Sequence, residues 1–228
     1  MGSAPTKPGY FIVLEGIDRS GKTTQASALA AELMRTGVLA MPVSFPDRSC
    51  ESGQKITAHL RGQISLTSEE LRQLFYENFL YTMPEVLRLL NTGVTMVCDR
   101  YVYSNICYSA ALHAKTGLDE LAVVAEAMER FENFPLPDLV VYLDVSPETA
   151  SARGEFGKER YENVETLQKV RKRYMGFVGT CGWVSLDAER PVHELAFMLL
   201  KLVQARMLLP TFDRVRDKVQ FAPPTSSV

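Results

Sequence analysis

Short apolar runs alternate with longer mixed segments along most of the 228-residue chain. The apolar runs span residues 10–14, 43–45, 94–98, 139–143 and 183–186. They are apolar at nearly every position, which is typical of strands that are covered on both faces of a sheet. Because helical patterns separate the runs, the chain is predicted to be an α/β protein with a five-stranded parallel sheet and right-handed crossovers, covered by helices on both faces.

Local signals predict where several helices begin. The tetrad Thr-Ser-Glu-Glu at 67–70 fits a capping box and predicts a helix over about 68–90. The pair Ser-Pro at 146–147 predicts a second start, because proline suits the first helical position. A helix is also expected over 24–35, and another is expected from the proline at 191 to about residue 207.

Charge and cysteine content exclude several classes of protein. A formal net charge of −2 provides no overall attraction to nucleic acid or to an anionic membrane. No apolar run approaches the ~18 residues of a membrane span, and no secretory signal is present. Four cysteines, Cys50, Cys98, Cys107 and Cys181, fit no metal-binding or C-x-x-C spacing. They favour free thiols in a reducing compartment, and hence a cytoplasmic location.

The two ends of the chain differ in composition from the middle. We expect a disordered tail over 1–9, one domain over 10–209 and a mobile Pro/Ser-rich tail over 210–228. The first six residues fit the pattern for N-myristoylation, but no basic cluster follows them, so a plain disordered tail is favoured.

Residues 16–23, Gly-Ile-Asp-Arg-Ser-Gly-Lys-Thr, fit the phosphate-binding pattern G-x-x-x-x-G-K-[ST]. The segment lies between the first predicted strand and the helix over 24–35, which is the context that this motif requires. Its backbone N–H groups can surround an anion, while Lys22 adds a positive charge and Thr23 offers a hydroxyl to Mg²⁺. The motif predicts a P-loop NTPase fold and a bound nucleotide. The residues expected to hold that nucleotide are Gly16, Ser20, Gly21, Lys22, Thr23 and Thr24.

Side chains that directly follow strands are the next candidates, since ligands bind beyond the carboxyl ends of parallel strands. Asp99 ends the third apolar run and suits the shell of a Mg²⁺ ion, although it could instead be a capping carboxylate paired with Arg100. Arg48 and Arg100 would lie on the same rim, where two guanidinium groups can bind one phosphate ester. The alternative is that they are two ordinary surface arginines.

An aromatic cluster and a charged loop could complete a second substrate site. Phe75 and Asn78 share one face of the helix over 68–90, so they could stack on and hydrogen-bond to a nucleobase, or they could be plain core. Residues 153–161 contain two glycines and several cations and are typical of a lid, with a solvated loop as the alternative. Such a lid would bring Arg153, Lys158 and Arg160 onto the transferring phosphates. Arg19 could supply transition-state charge from the phosphate loop.

These segments together resemble the thymidylate kinases (dTMP kinases) among the nucleoside monophosphate kinases. The matching stretches are 14–24, 45–48, 74–78, 99–104 and 153–162, in family order. A basic residue at position 19 is similar to the eukaryotic-type subgroup, which keeps an extra catalytic arginine in this loop. The resemblance implies ATP and Mg²⁺ as cofactors, dTMP as acceptor and a homodimer.

The resemblance also implies residue roles. Asp18 would hold the sugar 3′-hydroxyl, Phe75 would stack on thymine, Tyr108 would crowd the 2′ position, and Arg153 and Arg190 would border adenine. The implied catalytic residues are Asp18, Arg19, Lys22 and Arg100. The implied acceptor contacts are Asp18, Phe45, Arg48, Phe75, Asn78, Phe79, Arg100, Tyr108 and Tyr161.

Two positions depart from the family pattern. Relatives often carry an arginine directly after the asparagine that matches Asn78, where it bonds the base, but this chain has Phe79. Asn105 stands where a small residue is common. Selectivity between dTMP and dUMP therefore stays open.

The sequence predicts phosphoryl transfer from ATP to dTMP, giving dTDP. Replacing Lys22 or Arg100 by alanine should abolish turnover without unfolding the protein. A thymidine-phosphorylating deoxynucleoside kinase is one alternative, and the candidate arginine pair argues against it. A GTP-dependent switch is another, and no Asn-Lys-x-Asp guanine-reading motif supports it.

Overall fold

The computed structural model describes residues 7–113, 120–180 and 182–211. The predicted tails over 1–9 and 210–228 lie mostly outside these residues, as does Cys181. The elements are β1 (Phe11–Glu15), α1 (Lys22–Arg35), β2 (Ala40–Ser44), α2 (Glu51–Leu60), α3 (Ser68–Asn91), β3 (Thr95–Asp99), α4 (Val102–His113), α5 (Glu120–Phe131), β4 (Leu139–Asp144), α6 (Pro147–Ala152), α7 (Val164–Met175), β5 (Trp183–Asp187) and α8 (Val192–Met207).

The five strands form one sheet in the order β2-β3-β1-β4-β5, and every pairing is parallel. β1 is central: Leu14 pairs with Asp99 on one side and with Val141 on the other. The predicted five-stranded parallel sheet is therefore confirmed. Because all strands run the same way, their carboxyl ends meet at one edge of the sheet.

Burial differs between the centre and the edge of this sheet. Every residue of β1 and β3 is buried, and since successive side chains point to opposite faces, both faces are covered there. The prediction that the strands are covered on both faces was wrong for the edge strand β2, where Met41 is 47% exposed. That strand also begins at Ala40, not at residue 43. An edge tolerates Pro42, which has no N–H to donate.

The predicted helix starts match the structure where a specific signal existed. The capping box is present, with the Thr67 hydroxyl accepting from the Glu70 N–H and the Glu70 carboxylate accepting from the Thr67 N–H. Gly21 has φ +96° at the start of α1, a left-handed value that favours glycine.

Four helices were not predicted: α2, α4, α5 and α7. Every described side chain of α4 is buried or half-buried, so the helix has no solvent-exposed face to produce an amphipathic signal; it packs against α5 and α7. α7 does have a local start signal that the sequence analysis missed. The Asn163 side chain caps its first turn by accepting from the Thr166 N–H.

Two predictions from composition can be checked in the described chain. Cys98 and Cys107 are buried free thiols, while Cys50 is half-buried and free. Among the described residues, none of the helices is both long enough and apolar enough to cross a bilayer.

Candidate active site

A cavity of about 1230 Å³ opens at the carboxyl edge of the sheet. It is larger than the ~300–1,000 Å³ of ordinary small-molecule sites. Most of the residues selected from the sequence line it: Asp18, Arg19, Ser20, Gly21, Lys22, Thr23, Thr24, Phe45, Arg48, Phe75, Phe79, Asp99, Arg100, Tyr108, Arg153, Lys158, Tyr161 and Arg190. Gly16, Asn78 and Arg160 are not among the lining residues.

The phosphate loop follows β1 and ends at α1, so it presents the free N–H groups of a helix N-terminus to the cavity. Lys22 is 5% exposed, and its ammonium donates to the Ile17 carbonyl at 2.6 Å and to the Ser20 hydroxyl at 3.2 Å. Burial, together with the Arg100 cation, lowers the pKa of Lys22 to about 8. An anion in the loop would offset both effects.

Thr23 and Asp99 meet beside this loop. The Thr23 hydroxyl donates to one carboxylate oxygen of Asp99 at 2.5 Å, while the other oxygen is buried without a hydrogen-bond partner. A hydroxyl and a free carboxylate oxygen are ligands that suit Mg²⁺. The alternative pairing of Asp99 with Arg100 does not occur, because Arg100 pairs with Asp18. The described residues contain no group of three or more acidic, His or Cys side chains that could hold a metal.

Arg100 is positioned by the turn after β3, where it has φ +71°. Its guanidinium donates to Asp18, to the Gly16 carbonyl at 3.2 Å and to the Ser104 hydroxyl at 2.9 Å. Tyr108 also donates to Asp18, at 2.7 Å. Burial alone would raise the pKa of Asp18, but Arg100, Lys22 and the Tyr108 hydroxyl hold it below its ordinary value. Asp18 is therefore an ionised group that orients Arg100, and it is poorly suited to act as a base.

Backbone strain is concentrated at this cavity. Among the described residues, the non-glycine positions with positive φ are Arg19, Arg100 and Glu155, and all three line it. Such conformations cost free energy and persist where the surrounding structure holds them, which is common at functional sites.

Arg48 lies in the loop after β2, with a 56% exposed side chain 3.7 Å from Glu159 of the lid segment. Asn78 organises this loop: its amide accepts from the Asp47 N–H at 2.8 Å and donates to the Asp47 carbonyl at 2.9 Å. Asn78 is 1% exposed. In this structure the Asn78 amide is committed to the backbone of Asp47, and its predicted contact with a base stays a prediction.

One part of the cavity lies between α3 and α4 and is called the slot below. Leu71 and Phe75 line it from α3, and Tyr108 and Leu112 line it from α4. Phe79 is 2% exposed and stacks on Phe45 with ring centroids 4.4 Å apart. The rings of Phe45 and Phe79 are both buried and thus belong mainly to the aromatic core, although both residues line the cavity.

The lid segment 153–161 contacts the phosphate loop through Arg19. The Arg19 guanidinium donates to Glu162 at 2.8 Å, to the Gly154 carbonyl at 3.2 Å and to the Glu155 carbonyl at 2.9 Å. Glu162 also accepts from the backbone N–H of Lys158 at 3.1 Å, so it organises the lid segment from within. The sequence analysis missed Glu162, although it closes the matching stretch 153–162.

The opposite side of the lid segment lies against the end of α2. Arg160 donates to the carbonyls of His59 and Ile64, and the Tyr161 hydroxyl is 2.9 Å from the His59 ring. Lys158 is 65% exposed and pairs with Glu155. In this structure the Arg160 guanidinium bonds carbonyls at and just after the end of α2, and its predicted contact with the transferring phosphates stays a prediction.

The other end of the cavity lies near α8. Arg153 donates to the Arg19 carbonyl at 2.7 Å and to the Ala188 carbonyl at 2.6 Å. Arg190 lines this end, and the sequence analysis missed the apolar side chains of Val192 and Leu195 beside it. Only their position at the start of the helix after β5 could have indicated them. Together these groups form an apolar wall with two cations, which suits a flat heteroaromatic ring.

Comparisons with known proteins agree with this geometry. The family model for thymidylate kinase matches residues 14–198. Thymidylate kinase of Plasmodium falciparum is 36% identical over 198 residues, which cover 86% of this chain and 90% of that protein. The Schizosaccharomyces pombe enzyme is 34% identical over 90% of this chain and 96% of that protein.

A solved structure is similar in three dimensions. Thymidylate kinase from Candida albicans superposes with a TM-score of 0.79 at 27% identity, covering 88% of this chain and 93% of that one. This likeness confirms the predicted P-loop NTPase fold. With the family model, the two relatives and this structure in agreement, the chain belongs to the thymidylate kinase family and is an enzyme that phosphorylates dTMP to dTDP with ATP.

Proposed function

We propose that ATP occupies the end of the cavity formed by the phosphate loop and α8, and that dTMP occupies the slot between α3 and α4. The observation that carries this proposal is the continuity of one cavity from Lys22 through Arg100 to Phe75. The phosphate of dTMP would lie at Arg100 and Arg48, facing the γ-phosphate held by the phosphate loop. Its base would stack on Phe75, with Tyr108 against the sugar.

The transfer needs alignment and charge neutralisation more than covalent chemistry by the protein. Lys22, Arg19 and the loop N–H groups would stabilise negative charge on the migrating group. Thr23 and Asp99 would hold Mg²⁺, which supplies further charge neutralisation when bound. The acceptor phosphate is already ionised near neutral pH, so Asp18 needs only to orient Arg100 and the sugar.

A coupled assay of ADP release tests this arrangement. With ATP, we expect turnover with dTMP and none with thymidine or without an acceptor, because only the nucleotide has a phosphate for Arg48 and Arg100. Turnover with thymidine equal to that with dTMP would contradict the assignment of the two arginines. Turnover without an acceptor would favour the competing nucleotide-hydrolysing class.

We also propose that dUMP is an acceptor. The two substrates differ by one methyl group, and burial of a single methyl discriminates by only about 10–200-fold. Phe79 supplies no polar contact that could add to this difference. We expect kcat/KM for dUMP to be about 10–200-fold below that for dTMP, and a ratio above about 10⁴ would contradict the proposal.

The pKa of Lys22 predicts an alkaline decline in activity. Its charged form is the one that binds phosphate, and in the free enzyme this form is lost as pH rises through about 8. We therefore expect kcat/KM for ATP to fall above pH 8, since this ratio reports the free enzyme. At saturating ATP the decline in kcat should begin at higher pH, because bound phosphate favours the charged amine.

The Lys22→Arg variant is the control for this pH profile. Its guanidinium stays charged throughout the range, so any residual activity should lack the decline. A wild-type kcat/KM that stays constant to pH 9.5 would contradict the role given to Lys22.

We propose that the protein is a cytoplasmic homodimer. Leu80 and Tyr81 on α3 are 51% and 64% exposed, and adjacent exposed apolar side chains favour a protein interface. Light scattering should give twice the chain mass of 25.5 kDa. A monomeric mass at micromolar concentration would contradict the dimer. Cell fractionation tests the proposed cytoplasmic location.

A further inference from the structure

A carboxylate outside the reaction described above is fully buried at the centre of the molecule. Glu15 is the last residue of β1, directly before the phosphate loop, and is 0% exposed. Burial raises its pKa, against the effects of Ser104, Arg100 and Tyr174. An isolated buried carboxylate is costly, so its retention at this position calls for specific partners.

Four hydrogen bonds surround the Glu15 carboxylate. One oxygen accepts from the backbone N–H groups of Tyr101 at 2.9 Å and Ser104 at 3.2 Å. The other accepts from the hydroxyls of Ser104 at 2.6 Å and Tyr174 at 2.9 Å. All four partners can donate, and the carboxylate lies at the N-terminus of α4, where negative charge is favoured. These contacts favour the ionised form, against the effect of burial.

The Ser104 hydroxyl also contacts Arg100, with the guanidinium donating to it at 2.9 Å. A hydroxyl has one proton. Since Arg100 can only donate, the Ser104 hydrogen is directed to Glu15 and its lone pair faces Arg100. The Tyr174 hydroxyl donates to the same carboxylate oxygen and lies 2.8 Å from the Ser104 hydroxyl, so it belongs to the same buried hydrogen-bonded group.

We propose that Glu15 is a positioning residue for phosphoryl transfer: through the polarised Ser104 hydroxyl it holds the Arg100 guanidinium in the orientation that binds the acceptor phosphate. The proposal rests on the function assigned above to Arg100. It connects the phosphate loop to the acceptor site, because Glu15 is adjacent to Gly16, whose carbonyl also accepts from Arg100. The Glu15–Ser104 pair is called the relay below.

Three variants separate positioning from plain structural support. Ser104→Ala removes the hydroxyl between Glu15 and Arg100. Glu15→Gln keeps the shape, but its NH₂ must face the hydroxyls because its oxygen is needed by the two backbone donors. The Ser104 hydroxyl then accepts from the Gln NH₂ and no longer donates to a carboxylate, so its oxygen becomes a weaker acceptor for Arg100. Tyr101→Phe is the matched control, since the hydroxyl that it removes is buried and donates to the Pro135 carbonyl at 2.9 Å, away from Ser104.

We expect Ser104→Ala and Glu15→Gln to raise KM for dTMP about 10-fold or more, with KM for ATP within about twofold. Tyr101→Phe should lose a similar amount of thermal stability to Ser104→Ala while keeping both KM values. If Ser104→Ala fails to fold, the isosteric Glu15→Gln variant provides the same test. A KM for dTMP that is unchanged in Glu15→Gln, or raised equally in Tyr101→Phe, would contradict the role proposed for Glu15.

Failure of the relay is distinguishable from failure of the proposed function. If Arg100→Ala leaves dTMP binding unchanged, the assignment of Arg100 itself is wrong. If Arg100→Ala loses dTMP binding while Glu15→Gln retains wild-type KM values, only the relay is wrong.

Discussion

Replacing Lys22 by alanine will lower kcat about 10³-fold while leaving the protein folded. Lys22 is the cation nearest the place where the phosphate loop would hold the outer phosphates, and a single such donor contributes about 10²–10³-fold to turnover. Its ammonium is buried in the free enzyme beside the Arg100 cation, which disfavours the charge. Removing it should therefore leave the melting temperature unchanged or slightly raised. Steady-state kinetics and thermal unfolding on the same preparation measure both effects.

Lys169→Ala is the matched control for this variant. Lys169 lies on α7, is 38% exposed, and pairs with Glu165 away from the cavity. The Lys169→Ala variant loses the same charge as Lys22→Ala, but at a surface ion pair, and such pairs contribute little. Its kcat should therefore stay within about twofold of wild type. A Lys22→Ala enzyme with more than a tenth of wild-type turnover would contradict the position given to the γ-phosphate.

Replacing Arg100 by alanine should have the second largest effect. The variant loses the guanidinium proposed to bind the acceptor phosphate, so we expect kcat/KM for dTMP to fall about 10³-fold or more, with KM for ATP little changed. Stability should also fall, by about 3 kcal/mol, because Asp18 is left without its main ionic partner. Wild-type folding stability is commonly about 5–15 kcal/mol, so the fold should survive. Urea unfolding and kinetics with varied dTMP test these statements.

Arg88→Ala on α3 is the control for Arg100. Arg88 is 60% exposed and pairs with Glu85 within the same helix. Its removal deletes the same kind of side chain without touching the cavity, so both kinetic constants and stability should stay close to wild type. Wild-type turnover by a purified Arg100→Ala enzyme would refute the acceptor site.

The proposals share one electrostatic requirement. Arg48 and Arg100 must hold the dTMP phosphate while Lys22 and Arg19 hold the ATP phosphates, because two anions repel each other at reacting distance. In the structure, Arg19 instead contacts Glu162 and two lid carbonyls, and Arg48 lies near Glu159. These two cations are thus paired with acidic side chains and carbonyls of the lid region in the structure. Substrate phosphates would compete for the same groups.

Sequence reasoning succeeded where the signal is local. The capping box at Thr67 and Glu70 and the glycine at 21 act within one turn of the chain, so their residue types alone predict the conformation. The central strands were found because a strand buried on both faces must be apolar at consecutive positions. The edge strand β2 and the enclosed helix α4 carry no such pattern, and both were misplaced or missed.

The partners of polar side chains were harder to predict. Asn78 shares a helical face with Phe75, which suggested a contact with the base, but its amide is satisfied by the backbone of Asp47, 31 positions away. Arg160 lies in a segment rich in cations, yet it bonds carbonyls at the end of α2. Both contacts have one cause: a polar group binds whatever complementary group the fold brings within reach, and sequence spacing does not record distance between elements.

By itself the sequence determined the kind of sheet, the phosphate loop and the family, because each depends on consecutive residues: apolar runs, a glycine-containing loop with Lys22, and motifs in a set order. Only the tertiary structure decided which charges neutralise one another at the junction of β1, β3 and α4. There Glu15 and Asp18 meet Arg100 and Ser104, which lie more than 80 residues further along the chain. Burial makes every unpaired group in such a place costly, so the partner of each is selected by the folded chain and not by its neighbours in sequence.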